Sequence, residues 1–139
     1  MKRILFLGQI PPPLHGASIM NSYVINSEVI RTNFSIESVN FQFAKSIKEI
    51  EKFSFLKVYK AFLCGFEIVK KVIIQKPDLV YFNLAPKGFA FYRDAFYVFL
   101  LKLLKRKIVF HLHGKGIKKN VENNFLKKYN MIVCLTKKA

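Results

Sequence analysis

The chain of 139 residues is 52% hydrophobic, which provides enough apolar side chains for one domain with a buried core. Its 24 Lys and Arg against 8 Asp and Glu give a net charge of +16, which favours an anionic partner such as a membrane surface, a phosphate-bearing ligand or nucleic acid. The two cysteines lie inside apolar segments, so no disulfide framework is expected. The first apolar run is too short for a secretory signal, and we expect a cytoplasmic protein.

Five apolar runs rich in β-branched and aromatic residues predict five strands, at residues 4–7, 34–41, 79–82, 108–112 and 131–135. Segments of helical period lie between them. Strands that read as continuous apolar runs and alternate with helices are typical of a parallel sheet covered on both faces. We therefore predict a single α/β domain over residues 1–139: a Rossmann-like, doubly wound parallel sheet of about five strands with helices on both faces. The expected strand order is 3-2-1-4-5.

The first strand leads into the loop QIPPPLHGAS, residues 9–18, and then into a helix predicted over residues 17–30. Gly16 lets the backbone approach a ligand, and the N–H groups of Ala17 and Ser18 would face an anion such as a phosphate. His15 would line the rim of the same cleft. The alternative is that Gly16 and Ser18 only start a helix, because neither the dinucleotide fingerprint nor a P-loop is present.

The next predicted helix carries an apolar stripe at alternating steps of four and three residues. The stripe consists of Phe55, Tyr59, Phe62, Phe66, Val69 and Ile73. Lysines fall elsewhere around the helix, so we predict an amphipathic helix whose aromatic residues are buried. Another apolar helix candidate, over residues 89–101, is interrupted by Arg93 and Asp94, well short of the ~20 apolar residues that a spanning helix needs.

Polar residues follow the third and fourth predicted strands. Asn83 ends the third strand, and His111 and His113 close the fourth, ahead of Gly114 and Lys115. In an open parallel sheet these strand ends meet the first loop at one crevice, so all three histidines of the chain converge there. A neutral His113 would accept a hydrogen bond from a sugar hydroxyl, and Asn83, Gly114 and Lys115 would line the cleft. His111, further inside, is expected to be a core histidine.

Two other chemistries find little support in the sequence. Three imidazoles are a possible zinc site, but no carboxylate or cysteine lies near either histidine motif, so we expect no metal. A Ser–His–Asp arrangement would need an aspartate at the crevice. Asp78 opens a strand at the wrong edge of the sheet, and Asp94 stands beside Arg93, where a local ion pair is expected.

Three segments in order resemble the N-terminal half of GT-B-fold glycosyltransferases, most closely the retaining family 4, or group 1, enzymes. They are PPPLHGAS (11–18), KPDLVYFNLAPKGFAFYRD (76–94) and KIVFHLHGKG (107–116), and the likeness runs from residue 1 to about residue 136. The resemblance implies two Rossmann-like domains that face each other across a cleft. The N-terminal domain would receive the acceptor, and the C-terminal domain would bind a nucleotide-sugar. By position, Gly16 would approach the donor diphosphate and His113 would orient the transferred sugar. The resemblance implies no bound metal and no cofactor beyond the donor.

The chain departs from the family pattern in two respects. The donor domain with its paired-glutamate signature is not within these residues, and Ala17 follows Gly16 where a second glycine is often found. We therefore expect the N-terminal domain of a glycosyltransferase, inactive alone, either a truncated product or one half of a split enzyme with a separate donor-domain chain. The alternative is a non-catalytic Rossmann-like module that binds an anion or a partner chain.

The basic second half of the chain fits an enzyme whose acceptor is a glycan or a lipid-linked acceptor at the inner face of a membrane. The residues expected to face lipid phosphates are Lys102, Lys105, Arg106 and Lys107, or Lys118, Lys119, Lys127 and Lys128. Nucleic acid is not expected as a partner, because no zinc-finger or RNA-recognition signature is present and the aromatic residues are predicted to be buried in helices.

Overall fold

The computed structural model describes residues 1–43, 55–85, 89–113 and 132–135, the last as backbone only. Nine helices and strands are defined within these ranges. In chain order they are β1 (Lys2–Gly8), α1 (Gly16–Asn26), α2 (Glu28–Asn33), β2 (Phe34–Asn40), α3 (Phe55–Gln75), β3 (Leu79–Asn83), α4 (Phe89–Leu103), β4 (Ile108–Leu112) and β5 (Ile132–Leu135). All five predicted strands are present. The helix predicted over residues 17–30 is divided at Ser27, whose extended backbone ends α1 and precedes α2.

The five strands form one parallel sheet in the order β2-β1-β3-β4-β5. The fold class predicted from the sequence is confirmed, but the expected order 3-2-1-4-5 is wrong, because β3 pairs with β1 on the side away from β2. The sequence of β2 gives the physical reason: Ser35 and Glu37 alternate with less exposed residues, a pattern that suits an edge strand. The reversal of strand order therefore lies between β1 and β3.

One face of the sheet holds the main hydrophobic core. It is built from β1, β3 and β4 side chains such as Leu5, Phe82 and Phe110, covered by α3 and α4. The helix residues in this core are Cys64, Ile68, Val72, Tyr97, Val98 and Leu101. Burial raises the pKa of the Cys64 thiol to about 11, as expected for a buried free cysteine.

The opposite face of the sheet carries a ladder of rings and polar groups. The Phe6 ring stacks on Tyr81 with 5.2 Å between centroids, and the Tyr81 hydroxyl is hydrogen-bonded to Nδ1 of His111. Helix α1 packs on this side, where its buried Asn21 lies beside Gly8. Helices therefore cover both faces of the sheet, as predicted.

Helix α3 presents a different face to the core from the one expected. The side chains that pack on the sheet belong to Cys64, Gly65, Ile68 and Val72, whereas Phe55 and Phe66 are 85% and 72% exposed. The prediction of a buried aromatic stripe is wrong. Small residues explain the choice, because a Cβ on Gly65 would lie only 3.3 Å from the Tyr97 ring, so α3 approaches α4 closely on this side. Within the described ranges, no helix combines the length and apolarity needed to cross a bilayer.

Candidate functional site

The candidate site lies at the carboxyl ends of β1, β3 and β4. Strand order reverses between β1 and β3, so the chain turns to one side of the sheet after β1 and to the other side after β3. A crevice opens between these two connections at the carboxyl edge of the sheet. The first loop, Asn83 and His113 all lie at these strand ends. The corrected strand order keeps the crevice beside the first loop and places β3, rather than β4, next to β1.

The proline loop between β1 and α1 is held by side chains from α1 and from the end of β2. Four hydrogen bonds anchor it: Asn21 Nδ2 to the Gln9 carbonyl (2.8 Å), the Ile10 N–H to Asn40 Oδ1 (2.9 Å), Gln42 Nε2 to the Pro12 carbonyl (3.1 Å) and Ser18 Oγ to the Pro13 carbonyl (2.9 Å). Proline fixes φ at each of three successive positions, and these bonds fix the loop against its neighbours. The loop is therefore a stable rim of the crevice.

His15 and Ser18 form a reciprocal cap at the start of α1. Nδ1 of His15 accepts the Ser18 N–H at 3.3 Å, and Ser18 Oγ accepts the His15 N–H at 3.0 Å. The Ser18 N–H is thereby engaged within the cap, which leaves Gly16 and Ala17 as the first-turn donors for an anion. Apart from its chain neighbours and its own helix backbone, no atom of the described residues lies within 4 Å of the position that a Cβ on Gly16 would take, so a ligand has room beside this backbone.

The remaining ring nitrogen of His15 is an unpaired buried donor. Because Nδ1 accepts from Ser18, the neutral ring carries its proton on Nε2. That nitrogen is buried and has no hydrogen-bond partner among the described residues. A buried N–H without an acceptor costs about 1–3 kcal/mol, so this atom marks a place where a ligand oxygen would be stabilised.

His113 is oriented by Asn21. The amide nitrogen of Asn21 donates to the Gln9 carbonyl, so its Oδ1 faces His113 and accepts from Nε2 at 3.1 Å. Burial, with the neighbouring His111 and His15, lowers the pKa of His113 to about 4, and the ring is neutral near pH 7. A neutral ring that donates from Nε2 keeps Nδ1 as an acceptor.

His111 lies behind His113 and is a core residue, as predicted. It is 3% exposed, its ring is 4.1 Å from that of His113, and the Tyr81 hydroxyl bonds its Nδ1. Burial lowers the pKa of His111 as well. The Tyr81–His111 pair therefore supports the His113 ring from inside the sheet.

Asn83 stands next to the end of β1. Its Cβ lies 3.0 Å from the point that a Cβ on Gly8 would occupy, so only glycine fits there without a shift. Sequence reasoning overlooked Gly8, Asn21 and Tyr81. The signal for Asn21 was present, since it follows Ser18 by three positions and shares its face of α1.

Other residues singled out from the sequence lie away from the crevice chemistry or outside the described residues. Asp94 is fully buried, and its carboxylate accepts from Arg93 (2.6 and 2.8 Å) and from the Ala85 N–H (2.8 Å), which confirms the expected local ion pair. Gly114 and Lys115 fall outside the described residues. In the part of the chain that the structure describes, no three His, Cys, Asp or Glu side chains are grouped as metal ligands.

Comparison with known proteins adds no relative. No protein-family model, no curated protein and no solved structure matches the chain. A functional assignment therefore depends on the geometry of the crevice and on the expectations drawn from the sequence.

Proposed function

We propose that the chain is the acceptor-side, N-terminal domain of a cytoplasmic, retaining glycosyltransferase of the GT-B type. It would contribute to the transfer of a sugar from a nucleotide-sugar to a glycan or a lipid-linked acceptor. The observation that carries this proposal is that a buried donor with no partner among the described residues, His15 Nε2, and a neutral His113 lie together at the strand-order reversal of a parallel sheet.

The groups at the crevice match the chemistry of a sugar phosphate. Sugar hydroxyls donate and accept, and here Nδ1 of His113 accepts while Nε2 of His15 donates. The Gly16 and Ala17 N–H groups at the start of α1 offer a favourable position for a phosphate oxygen. His113 would contact the transferred sugar, and Asn21 would position its ring. Asn83 would line the acceptor side.

A second domain would supply the rest of the donor site. The described strands and helices form a single sheet with its covering helices, and its crevice offers groups for a sugar and a phosphate. We propose that the donor domain comes from outside these 139 residues, from a separate chain or a separate segment. The domain alone would bind donor weakly and would not turn it over.

Histidine ring resonances followed by NMR test both parts of the proposal. Titration of the chain with nucleotide-sugars is expected to show binding no tighter than about 1 mM, with any shifts largest at the His15 and His113 rings. Micromolar affinity would contradict the need for a second domain. Shifts confined to other residues would contradict the site.

With the donor domain present, a transfer assay tests His113 directly. His113→Ala is expected to lower turnover by at least about 100-fold, because an oriented contact to the transferred sugar is lost. Tyr23→Ala, which removes an exposed ring of α1, is the control and should keep full turnover. Unchanged turnover in His113→Ala would remove His113 from the site and favour the non-catalytic alternative.

A further inference from the structure

Helix α3 carries an apolar stripe on the side opposite to the sheet. The stripe consists of the exposed residues Phe55, Tyr59, Phe62, Phe66 and Ile73. They recur at helical spacing and point away from the core residues Ile68 and Val72. The helix is therefore apolar on two opposite sides, one packed on the sheet and the other exposed.

Helix α4 repeats this arrangement. Its exposed residues Phe89, Tyr92, Phe96, Phe99 and Leu103 follow at steps of three and four, opposite to the buried Tyr97 and Leu101. The Phe62 and Phe96 rings meet edge to face at 6.2 Å, so the stripes of α3 and α4 join. We call the ten exposed residues of the two stripes the outer apolar face. Eight of them are aromatic, and a patch of this kind marks an interaction surface.

A basic rim adjoins one end of the outer apolar face. Lys76 directly follows the last turn of α3, and Lys105 follows α4, so both lie near the ends of the stripes that hold Ile73 and Leu103. Together with Lys2, Arg3, Arg106 and Lys107 they line one open cavity at the amino edge of the sheet. The single acidic side chain in that lining, Asp78, accepts the Arg3 N–H at 2.8 Å.

The backbone at the two helix ends gives a second indication that this charge is used. Lys76 and Lys105 have φ of 47° and 54°, and they are the non-glycine residues with positive φ in the described chain. After a helix, this conformation is normally adopted by glycine, which has no Cβ and is not strained at positive φ. A lysine at both positions keeps charge at the expense of backbone strain.

We propose that the outer apolar face docks on an anionic lipid bilayer, with its rings at the boundary between headgroups and acyl chains and the basic rim on headgroup phosphates. Aromatic and aliphatic residues on one helix face, flanked by lysines, are typical of helices that lie in the membrane interface. This inference stands on different residues from the proposed sugar transfer.

Other occupants fit the surface less well. A second copy of the chain would bring another net charge of +16 against the first. The exposure of the aromatic residues gives nucleic acid some support, because bases stack on aromatic rings. Aliphatic side chains share this surface, however, and they offer no ring on which a base can stack. The exposed aliphatic residues of α3 and α4 are Ile73 and Leu103 of the outer apolar face, together with Leu56, Leu63 and Ile74. Acyl chains pack on both kinds of side chain.

Vesicle co-sedimentation of the 139-residue chain tests the proposal. Phosphatidylcholine vesicles with and without phosphatidylglycerol, at low and at high salt, provide the comparison. We expect binding to the anionic vesicles, weakened by salt and much lower on neutral vesicles. Equal binding to both kinds of vesicle, or binding to neither, would overturn the proposal.

A double variant in the outer apolar face and a matched control elsewhere test whether this face is the docking site. Phe66→Gln with Tyr92→Gln, both sites 72% exposed, is expected to weaken binding on the order of tenfold or more. The matched control is Tyr23→Gln with Val29→Gln, at sites 67% and 74% exposed on α1 and α2, and it should bind as the unmodified chain does. Equal losses in the two double variants would show non-specific adsorption and refute the docking face.

Lys76→Gly with Lys105→Gly tests the rim without damaging the fold. Glycine relieves the positive φ, so the melting temperature should not fall, while affinity for anionic vesicles should drop by about fivefold per lysine. Unchanged affinity would refute the rim. Parallel measurements of single-stranded RNA binding and of oligomeric state decide between occupants. RNA binding or dimer formation that depends on Phe66 and Tyr92, without vesicle binding, would assign the face to that occupant instead.

Discussion

Acidification is expected to destabilise the fold through His113. In the folded chain, burial and the neighbouring His111 and His15 lower the pKa of the His113 ring from its ordinary 6.5 to about 4. As the pH falls below 6.5, the unfolded chain takes up a proton that the folded chain does not accept until the pH nears 4. The contribution of neutral His113 is therefore complete above pH 6.5 and is lost progressively as the pH falls towards 4.

The size of this loss follows from the pKa difference. At about 1.4 kcal/mol for each pKa unit, the change from 6.5 to about 4 corresponds to at most about 3–4 kcal/mol. The ring is only half-buried, and solvent screening reduces the expected loss to about 2 kcal/mol between about pH 7 and pH 4.5. That is a large part of the stability of a small domain.

Urea denaturation followed by far-UV circular dichroism, repeated across this pH range, measures the effect. His113→Gln is the informative variant, because its amide N–H can donate to Asn21 Oδ1 but takes up no proton in this range. The unmodified chain should lose about 2 kcal/mol more than the variant on acidification. Burial lowers the pKa of His15 and His111 too, and these rings remain in both proteins, so the difference isolates His113. Parallel pH profiles for the two proteins would refute the reasoning.

Two further predictions concern the packing around the site. Gly8→Ala should cost about 1–3 kcal/mol in urea and shift the histidine ring resonances, because its Cβ would lie 3.0 Å from that of Asn83; an unchanged spectrum and midpoint would contradict the close packing. Asp94→Ala should cost about 3–5 kcal/mol, because it leaves the guanidinium of Arg93 and the Ala85 N–H without their buried partner. A loss below about 1 kcal/mol would show that Arg93 finds another partner.

The strands could be predicted from sequence because four of them are short apolar runs and β2 alternates apolar with polar residues, and both patterns are local. The strand order could not, since a run of apolar residues does not state which neighbour it pairs with. The exposed Ser35 and Glu37 of β2 were the available indication of an edge strand. The sequence predicted the wrong buried side of α3, because both sides of the helix are apolar. The small residues Cys64 and Gly65, rather than the periodicity, determine which side packs on the core.

The site was predictable in outline and not in detail. Convergence of the histidines follows from parallel strands that end at one edge, and the structure brings His15, His111 and His113 to that edge. The role of Ser18 in the helix cap and that of Asn21 in holding His113 depend on side-chain contacts. The contact of Asn21 joins residues 92 positions apart, so its place on the Ser18 face of α1 indicated the side of the helix but not the partner.

That long-range contact has a consequence for partly folded forms of the domain. Asn21 belongs to the first helix, but the atom that satisfies its Oδ1 lies at the end of β4, which joins β1 only through β3. A form that buries Asn21 against β1 without β4 lacks this hydrogen bond, and the unsatisfied amide oxygen disfavours such a form. The link between Asn21 and His113 thus makes the stability of the first helix in its place depend on the presence of β4.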